Sequence, residues 1–400
     1  MRYEKRSEMG LRKKRAPPAM VSRRARRYMR PVMPKGRNHG LLIAGGGLAG
    51  SLAALAMARQ RPEVPMLLVG EGESAGGAGT FLVLDEALGE AGRALLAPLA
   101  VHSWDGFYAL LPGRARKLRL RCHAVAASAI DAAVRESLRP EQLRLGARIV
   151  AVREDSILLA GGETIGGTGA LDARGWAHQT TLELGWRHGV ARTLALPVPH
   201  RLDLPVAIDS TLSGGAGCGY VTCIPLDPQR LVVEHVRYAR GAEADAAAGR
   251  AAIEGYAEAR GWAGATVEAE QMFSTPVPLG GDFAGYWRIG GARVAKLGAR
   301  GGFFGLGLGS TLDDAAGTAA TLTRQRDFSG AALHDLFEGE AAALWRAREP
   351  YRAIARRLVE GGDCAPAEAV YGAEPGTVER FFAQRLGLIE RRRLLAAAGA

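Results

Sequence analysis

The sequence predicts an α/β protein: a parallel nucleotide-binding sheet, a second lobe on an antiparallel sheet, and a helical C-terminal region. Three observations predict it. An apolar strand near the start of the chain runs through a glycine cluster into an apolar helix. From residue 182 onward the periodicity of apolar residues shifts to two, and from residue 312 it reads as helical. With 400 residues, 48% of them hydrophobic and 23% charged, the chain has material for more than one core.

The strand LLIA (residues 41–44) leads into the glycines and a helix over residues 48–59, and a second strand, MLLV (66–69), stops short of Glu71. Short connections of this kind belong to a parallel βαβ unit. The segment EGESAGGAGT (71–80) is too rich in glycine for a helix and reads as a loop whose backbone approaches a ligand. Helical patterns cover 85–99 and 124–137. A strand over 148–153, a hairpin through Gly161 and Gly162, and a strand over 169–173 return the chain to the nucleotide. Stretches rich in β-formers at 204–211, 219–224 and 230–236 form the antiparallel substrate lobe. A strand over 287–290 leads to a second glycine run, 298–309, and then to a helix beginning at Leu312. The chain therefore divides into a tail (1–38), a nucleotide-binding part (39–181), the antiparallel lobe (182–285), a second nucleotide-binding part (286–328) and a helical region (329–400).

The net charge of +11 is uneven. Residues 1–39 hold fourteen Lys or Arg against Glu4 and Glu8, so the remainder is close to neutral. Three readings of this Pro-interrupted tail stand: a solvated arm, a segment drawn to anionic lipid, or sequence upstream of a true start at Met20 or Met33. Nucleic-acid binding is not expected, because no binding fold accompanies the charge. No run of 18 apolar residues is present, so a transmembrane helix is not expected either. Cys122, Cys218, Cys223 and Cys364 lack metal-ligand spacing and read as part-buried thiols suited to a reducing cytoplasm, with no metal site.

The chemistry begins at Gly45-x-Gly47-x-x-Gly50. Gly45 makes the tight turn, Gly47 admits a pyrophosphate to the backbone, and Gly50 lets strand and helix pack closely. The helix N-terminus then offers N–H groups and a positive dipole end to phosphate. Glu71, 21 residues past Gly50, is placed for a ribose 2′-OH. This is a Rossmann-like fingerprint. It does not itself separate NAD from FAD, but its early position and the distant second glycine run, with Gly302 at its centre, favour FAD held by two parts of the chain.

Beyond the fingerprint, ordered stretches resemble the bacterial lycopene β-cyclases: HGLLIAGGGLAGSLAAL at 39–55, GGAGTF at 76–81, SWDG at 103–106, LDARGW at 171–176, IPLDPQRLVVEHVRYA at 224–239, PVPLGGDFAGYW at 276–287, RGGFF at 300–304 and ERFFAQRL at 379–386. The chain departs from that family in three places. A histidine- and threonine-bearing stretch is FGLGLGS at 304–310, the loop at Gly76 lacks Asn and His, and the C-terminus ends RRRLLAAAGA. The resemblance implies reduced FAD, NADPH as its source of electrons, and lycopene or a related acyclic carotenoid as substrate. It also implies attachment to the inner face of the cell membrane. A monooxygenase or prenyl-chain reductase, and a flavin binder without catalysis, remain alternatives.

Protonation-driven cyclisation needs an acid, a base and a dry pocket. By resemblance Glu234, in LVVEHVRYA, is the acid–base residue, its apolar strand expected to raise its pKa. The competing reading is an outward carboxylate paired with Arg230 or Arg237. His235 should face the other way. Asp172 either contacts the flavin or caps the next turn, Asp314 either orders groups near the flavin phosphates or caps its helix, and Asp282 and Trp287 are either channel or core. Phe381, Phe382, Leu386 and Ile389 among arginines read as a helix for the membrane interface or for the core.

Overall fold

A computed structural model describes residues 39–176, 181–211 and 217–399; the basic tail 1–38 lies outside the described residues. Leu41, Leu42, Ile43 and Ala44 are all fully buried, as a short strand can be only inside a sheet covered on both faces. This strand, β1 (Leu41–Ala44), pairs in parallel with β2 (Met66–Val69) and with β12 (Gly169–Asp172). With β8 (Leu143–Arg144) and β18 (Ala295–Lys296) the order is β18-β12-β1-β2-β8. Leu41 and Ile43 pack on α1 (Leu48–Gln60), α3 (Ala127–Ser137), α6 (Leu312–Thr323) and α7 (Gly330–Ala347). Leu42 and Ala44, on the other face, meet β9 (Ile149–Arg153), β10 (Ser156–Leu159) and β11 (Thr164–Gly166). Each fully buried leucine in these layers contributes about 1.5–3 kcal/mol.

The antiparallel lobe is a seven-stranded sheet. It contains β13 (Leu182–Ala195), β14 (Val206–Asp209), β15 (Gly219–Asp227), β16 (Arg230–Ala239) and β17 (Thr266–Gly281). It also recruits β5 (Phe107–Leu111) and β6 (Arg114–Leu118), in the order β17-β13-β16-β15-β14-β5-β6. The β14–β5 pair is parallel and joins segments about a hundred residues apart, with Val206 opposite Tyr108. Val190, Val221 and Val233 bury one face beneath α4 (Ala246–Ala259). Tyr220, Val236 and Tyr238 turn the other face toward α8 (Glu349–Glu360), α9 (Ala365–Gly372), α10 (Pro375–Phe382) and α11 (Leu388–Ala397). A smaller sheet of β3 (Thr80–Leu84), β7 (Cys122–Ala126) and β4 (Ala100–Trp104), with α2 (Glu90–Leu96) nearby in sequence, completes the nucleotide side.

Three expectations change, and one open alternative is settled. The helix expected from residue 124 begins at Ala127, because Cys122–Ala126 pairs with both β3 and β4. The strand expected over 287–290 is instead the end of α5 (Phe283–Arg288). Its cap, Asp282, accepts the Gly285 N–H at 2.8 Å, and the parallel strand that follows is β18. The four cysteines are not all thiols: Cys218 and Cys364 form a disulfide across 146 residues, with Cα atoms 4.4 Å apart. Spacing along the chain gives no sign of a pair so distant. Finally, Phe381, Phe382 and Leu386 are core residues at 0%, 7% and 5% exposure, and the chain breaks between α10 and α11 at Gln384, φ +58°.

Candidate active site and nucleotide cradle

The β1–α1 turn is built by glycine for identifiable reasons. Gly45 has φ +123°, and a Cβ there would lie 2.4 Å from the Ala173 carbonyl oxygen. A Cβ on Gly50 would lie 2.0 Å from the Gly45 carbonyl oxygen, whereas Gly47 faces open space. No side chain caps α1 and its first turn carries no acid, so its N–H groups are available to an anion. Ser51 fastens the following loop over this turn: its hydroxyl donates to the Gly46 carbonyl at 2.9 Å and accepts the Gly76 N–H at 2.8 Å. Glu71 is exposed just past β2, with one oxygen accepting the Ile149 N–H at 3.1 Å. This arrangement fits the diphosphate and ribose of a dinucleotide.

Between the loop and strand at residues 78–84 and the antiparallel sheet lies a cavity of about 190 Å³. Its walls come from residues 78–84, from the cavity-facing side chains of β13, β15, β16 and β17, from the second glycine run, and from Tyr371 and Phe382. Glu234 projects into it. Its partner is neither Arg230, which pairs with Glu268 at 2.7 Å, nor Arg237, but Arg187 of β13, whose Nη2 lies 2.5 Å from Oε1. Burial pulls the Arg187 guanidinium down, but the Glu234 carboxylate and the Tyr220 and Tyr238 hydroxyls outweigh it and leave it above its ordinary value. Arg187 also lies 4.7 Å from the Phe273 ring centroid. His235 does point the opposite way, toward Gly249 of α4, and burial, then Arg237, lowers its pKa.

The other anticipated residues are placed as follows. Asp172 is buried at the end of β12 and gives both oxygens to Arg174, at 2.9 and 2.8 Å, with Arg300 Nε at 3.5 Å. Asp314 is buried against Arg348 and also accepts the Gly305 N–H at 2.8 Å, so it shapes the second glycine run from behind. Gly302, φ +83°, presses on the Phe283 ring and borders a side crevice apart from the main cavity lining. Trp287 is core, its Nε1 donating to the Gly301 carbonyl at 3.0 Å, and Asp282 is the exposed cap of α5. Buried Cys122 also borders the cavity, its thiol pushed up to about 12 by burial and then by Asp105. Among the described residues no group of three His, Cys, Asp or Glu is placed to hold a metal.

Two charged residues of the cavity were not anticipated. Arg187 is invisible locally because its partner is 47 positions away, though alternation along β13 puts it on the same face as Ala191. Asp313 lines the cavity beside the second glycine run. The adjacent acids of TLDD diverge: Asp314 turns to Arg348 and the glycine run, Asp313 to the cavity. Withdrawal from water, then the Asp314 carboxylate, pushes the Asp313 carboxyl up to about 7, with Arg348 opposing.

The profile described as lycopene cyclase protein matches residues 40–398. The chain belongs to the lycopene cyclase family. Lycopene β-cyclases of Pseudescherichia vulneris, Pantoea ananas and a Paracoccus strain are 29%, 28% and 30% identical to it, over 89%, 90% and 89% of this chain and 92%, 94% and 93% of theirs. The cyclase chain also shares its fold with solved structures. A geranylgeranyl bacteriochlorophyll reductase-like protein of Thermoplasma acidophilum aligns at TM-score 0.58 and 12% identity, over 90% of this chain and 96% of that one. A flavin-dependent halogenase from Xanthomonas campestris aligns at 0.56 and 12%, over 90% and 94%.

Proposed function

We propose that this cyclase protonates one acyclic end of lycopene or a related carotenoid and closes it to a β-ring, with FAD held in the glycine cradle. The observation that carries the reading is Glu234 of β16, a carboxylate facing a largely apolar cavity bordered by the loop at residues 78–80 and by the second glycine run. A dry apolar cavity of about 150 Å³ accepts benzene. The present one, at about 190 Å³, suits a single end group, leaving the rest of a long polyene to extend outward.

Gly45, Gly47 and Gly50 would hold the diphosphate of FAD and Glu71 its ribose, while Asp172, Gly302 and Asp314 support the surrounding backbone. When bound and reduced at the expense of NADPH, the flavin supplies negative charge that favours a cationic ring-closing state. The protein's own part is to exclude water, to hold the end group against the sheet, and to move protons through carboxyl groups. Glu234 does acid–base work, and Arg187 fixes its position.

The substrate dissolves in lipid, and Leu388 and Ile389, 77% and 68% exposed at the start of α11, supply an apolar contact beside Arg391, Arg392 and Arg393. Among the described residues no helix is long and apolar enough to cross a membrane. Peripheral attachment at the cytoplasmic face is consistent with both.

Expression in lycopene-accumulating bacteria tests the reading. Cyclic carotenoids are expected; oxygenated or saturated products would replace it with a monooxygenase or reductase, and unchanged lycopene with a retained flavin spectrum would leave only a binding protein.

A further inference from the structure

Two carboxyl groups, not one, face the central cavity. Glu234 reaches it from β16, and Asp313 from the first turn of α6, on a different wall. Their surroundings differ in kind. Glu234 holds Arg187 at 2.5 Å. For Asp313 no ion pair occurs among the described residues, because its neighbour Asp314 engages the Arg348 guanidinium, with Nη1 at 2.7 Å and Nη2 at 2.5 Å.

A cyclisation begun by protonation needs a donor that carries its proton before the hydrocarbon arrives, and a base that removes a proton from a different carbon afterwards. A carboxylate already paired with a guanidinium is equipped for the second task. An unpaired carboxyl in a cavity is equipped for the first. We propose that Asp313 is the proton donor of this cyclase and that Glu234, in its pair with Arg187, is the base. This assignment rests on the cyclase reading above.

The step balances without an external oxidant or reductant. The Asp313 O–H bond breaks and a C–H bond forms at the terminal alkene, whose electron pair makes it. The neighbouring alkene closes the ring onto the carbon left cationic. A ring C–H bond beside the new cation then breaks, its electrons become the ring double bond, and its proton goes to Glu234. Exchange with water then takes the proton from Glu234 and returns one to Asp313 before the next turnover.

The charged groups acting on Asp313 are Asp314 beside it and Arg348 from the junction of α7 and α8; the other titratable groups lining the cavity are Glu234, Arg187, Cys122, Tyr220 and Tyr371. With its carboxyl pushed up to about 7 by burial and by Asp314, the acid form is present at lower pH and is lost as pH rises through that value. Cyclisation should therefore fall about tenfold per pH unit above the transition.

The test uses the flavin-loaded full-length protein and lycopene, with Asp313→Asn, Asp313→Glu and Glu234→Gln. Ring formation is followed against pH, and the protonated-carboxyl band is recorded by infrared spectroscopy without substrate. Asp313→Asn should lose at least about 100-fold in rate and lose a protonated-carboxyl band that Glu234→Gln retains at pH 6. Asp313→Glu should recover part of the rate with a displaced alkaline limb. An Asp313→Asn protein that cyclises at the wild-type rate, or that keeps the band, overturns the assignment while leaving the cyclase reading intact. Should Asp313→Asn fail to fold, an unmoved alkaline limb in Asp313→Glu overturns it equally. A wild-type protein that cyclises nothing removes the cyclase reading first and the role of Asp313 with it.

Discussion

Two regions of this molecule offer a ligand contacts of different kinds. At the carboxyl end of the parallel sheet the contacts are made by backbone: a turn that tolerates no Cβ at Gly45 or Gly50, and a helix end left without a capping side chain. Around the central cavity the charged groups are side chains that meet from distant parts of the sequence, Arg187 from β13, Glu234 from β16 and Asp313 from α6. A backbone site depends on local chain geometry and is destroyed by a methyl group. A side-chain site depends on packing between elements and is disabled by changing a single polar atom.

Substitutions can break or sharpen this contrast. The largest effect belongs to the cradle: Gly50→Val, whose Cβ would lie 2.0 Å from the Gly45 oxygen, should abolish flavin retention, measured as the absorption of the purified protein. Glu234→Gln should keep the flavin and lower turnover by about 10²–10⁴-fold; a turnover within threefold of wild type would show that the sheet's carboxylate is not part of the chemistry. Arg187→Met leaves a mostly buried carboxylate without its counter-charge and should cost about 3–5 kcal/mol, read as a lowered unfolding midpoint. Cys218→Ser removes a crosslink closing 146 residues and should cost about 2–5 kcal/mol. It should do so without altering the flavin spectrum.

The same contrast explains what could be read from the sequence. The strand, the three glycines and Glu71 belong to one βαβ unit, and the structure forms that unit with Gly45 at φ +123° and Glu71 just past β2. Alternation inside LVVEHVRYA correctly separated Glu234 from His235, but it could not supply Arg187, whose proximity is created by pairing β13 with β16. Residues 287–290 have the apolar, aromatic character of a strand, yet the Asp282 cap nucleates a helix there. The β5–β6 hairpin carries no mark of its sheet, because its partner β14 arrives about a hundred residues later. Phe381 and Phe382 match an interfacial pattern as well as a core one. Only the presence of Tyr351 and Tyr371, 5.1 and 5.7 Å away between ring centroids, decides for the core.

Cys122 and Cys223 are both buried, with thiols pushed up to about 12. At pH 7 that leaves roughly one thiolate in 10⁵, and only the thiolate reacts with alkylating reagents. In the native protein both sulfurs are therefore silent, and any modification must pass through a transient opening of the wall that covers them. Cys122 sits at the central cavity and Cys223 beneath α4, so the pair acts as two stopwatches within one chain. Occupancy of the cavity should slow the first and leave the second running at its own pace.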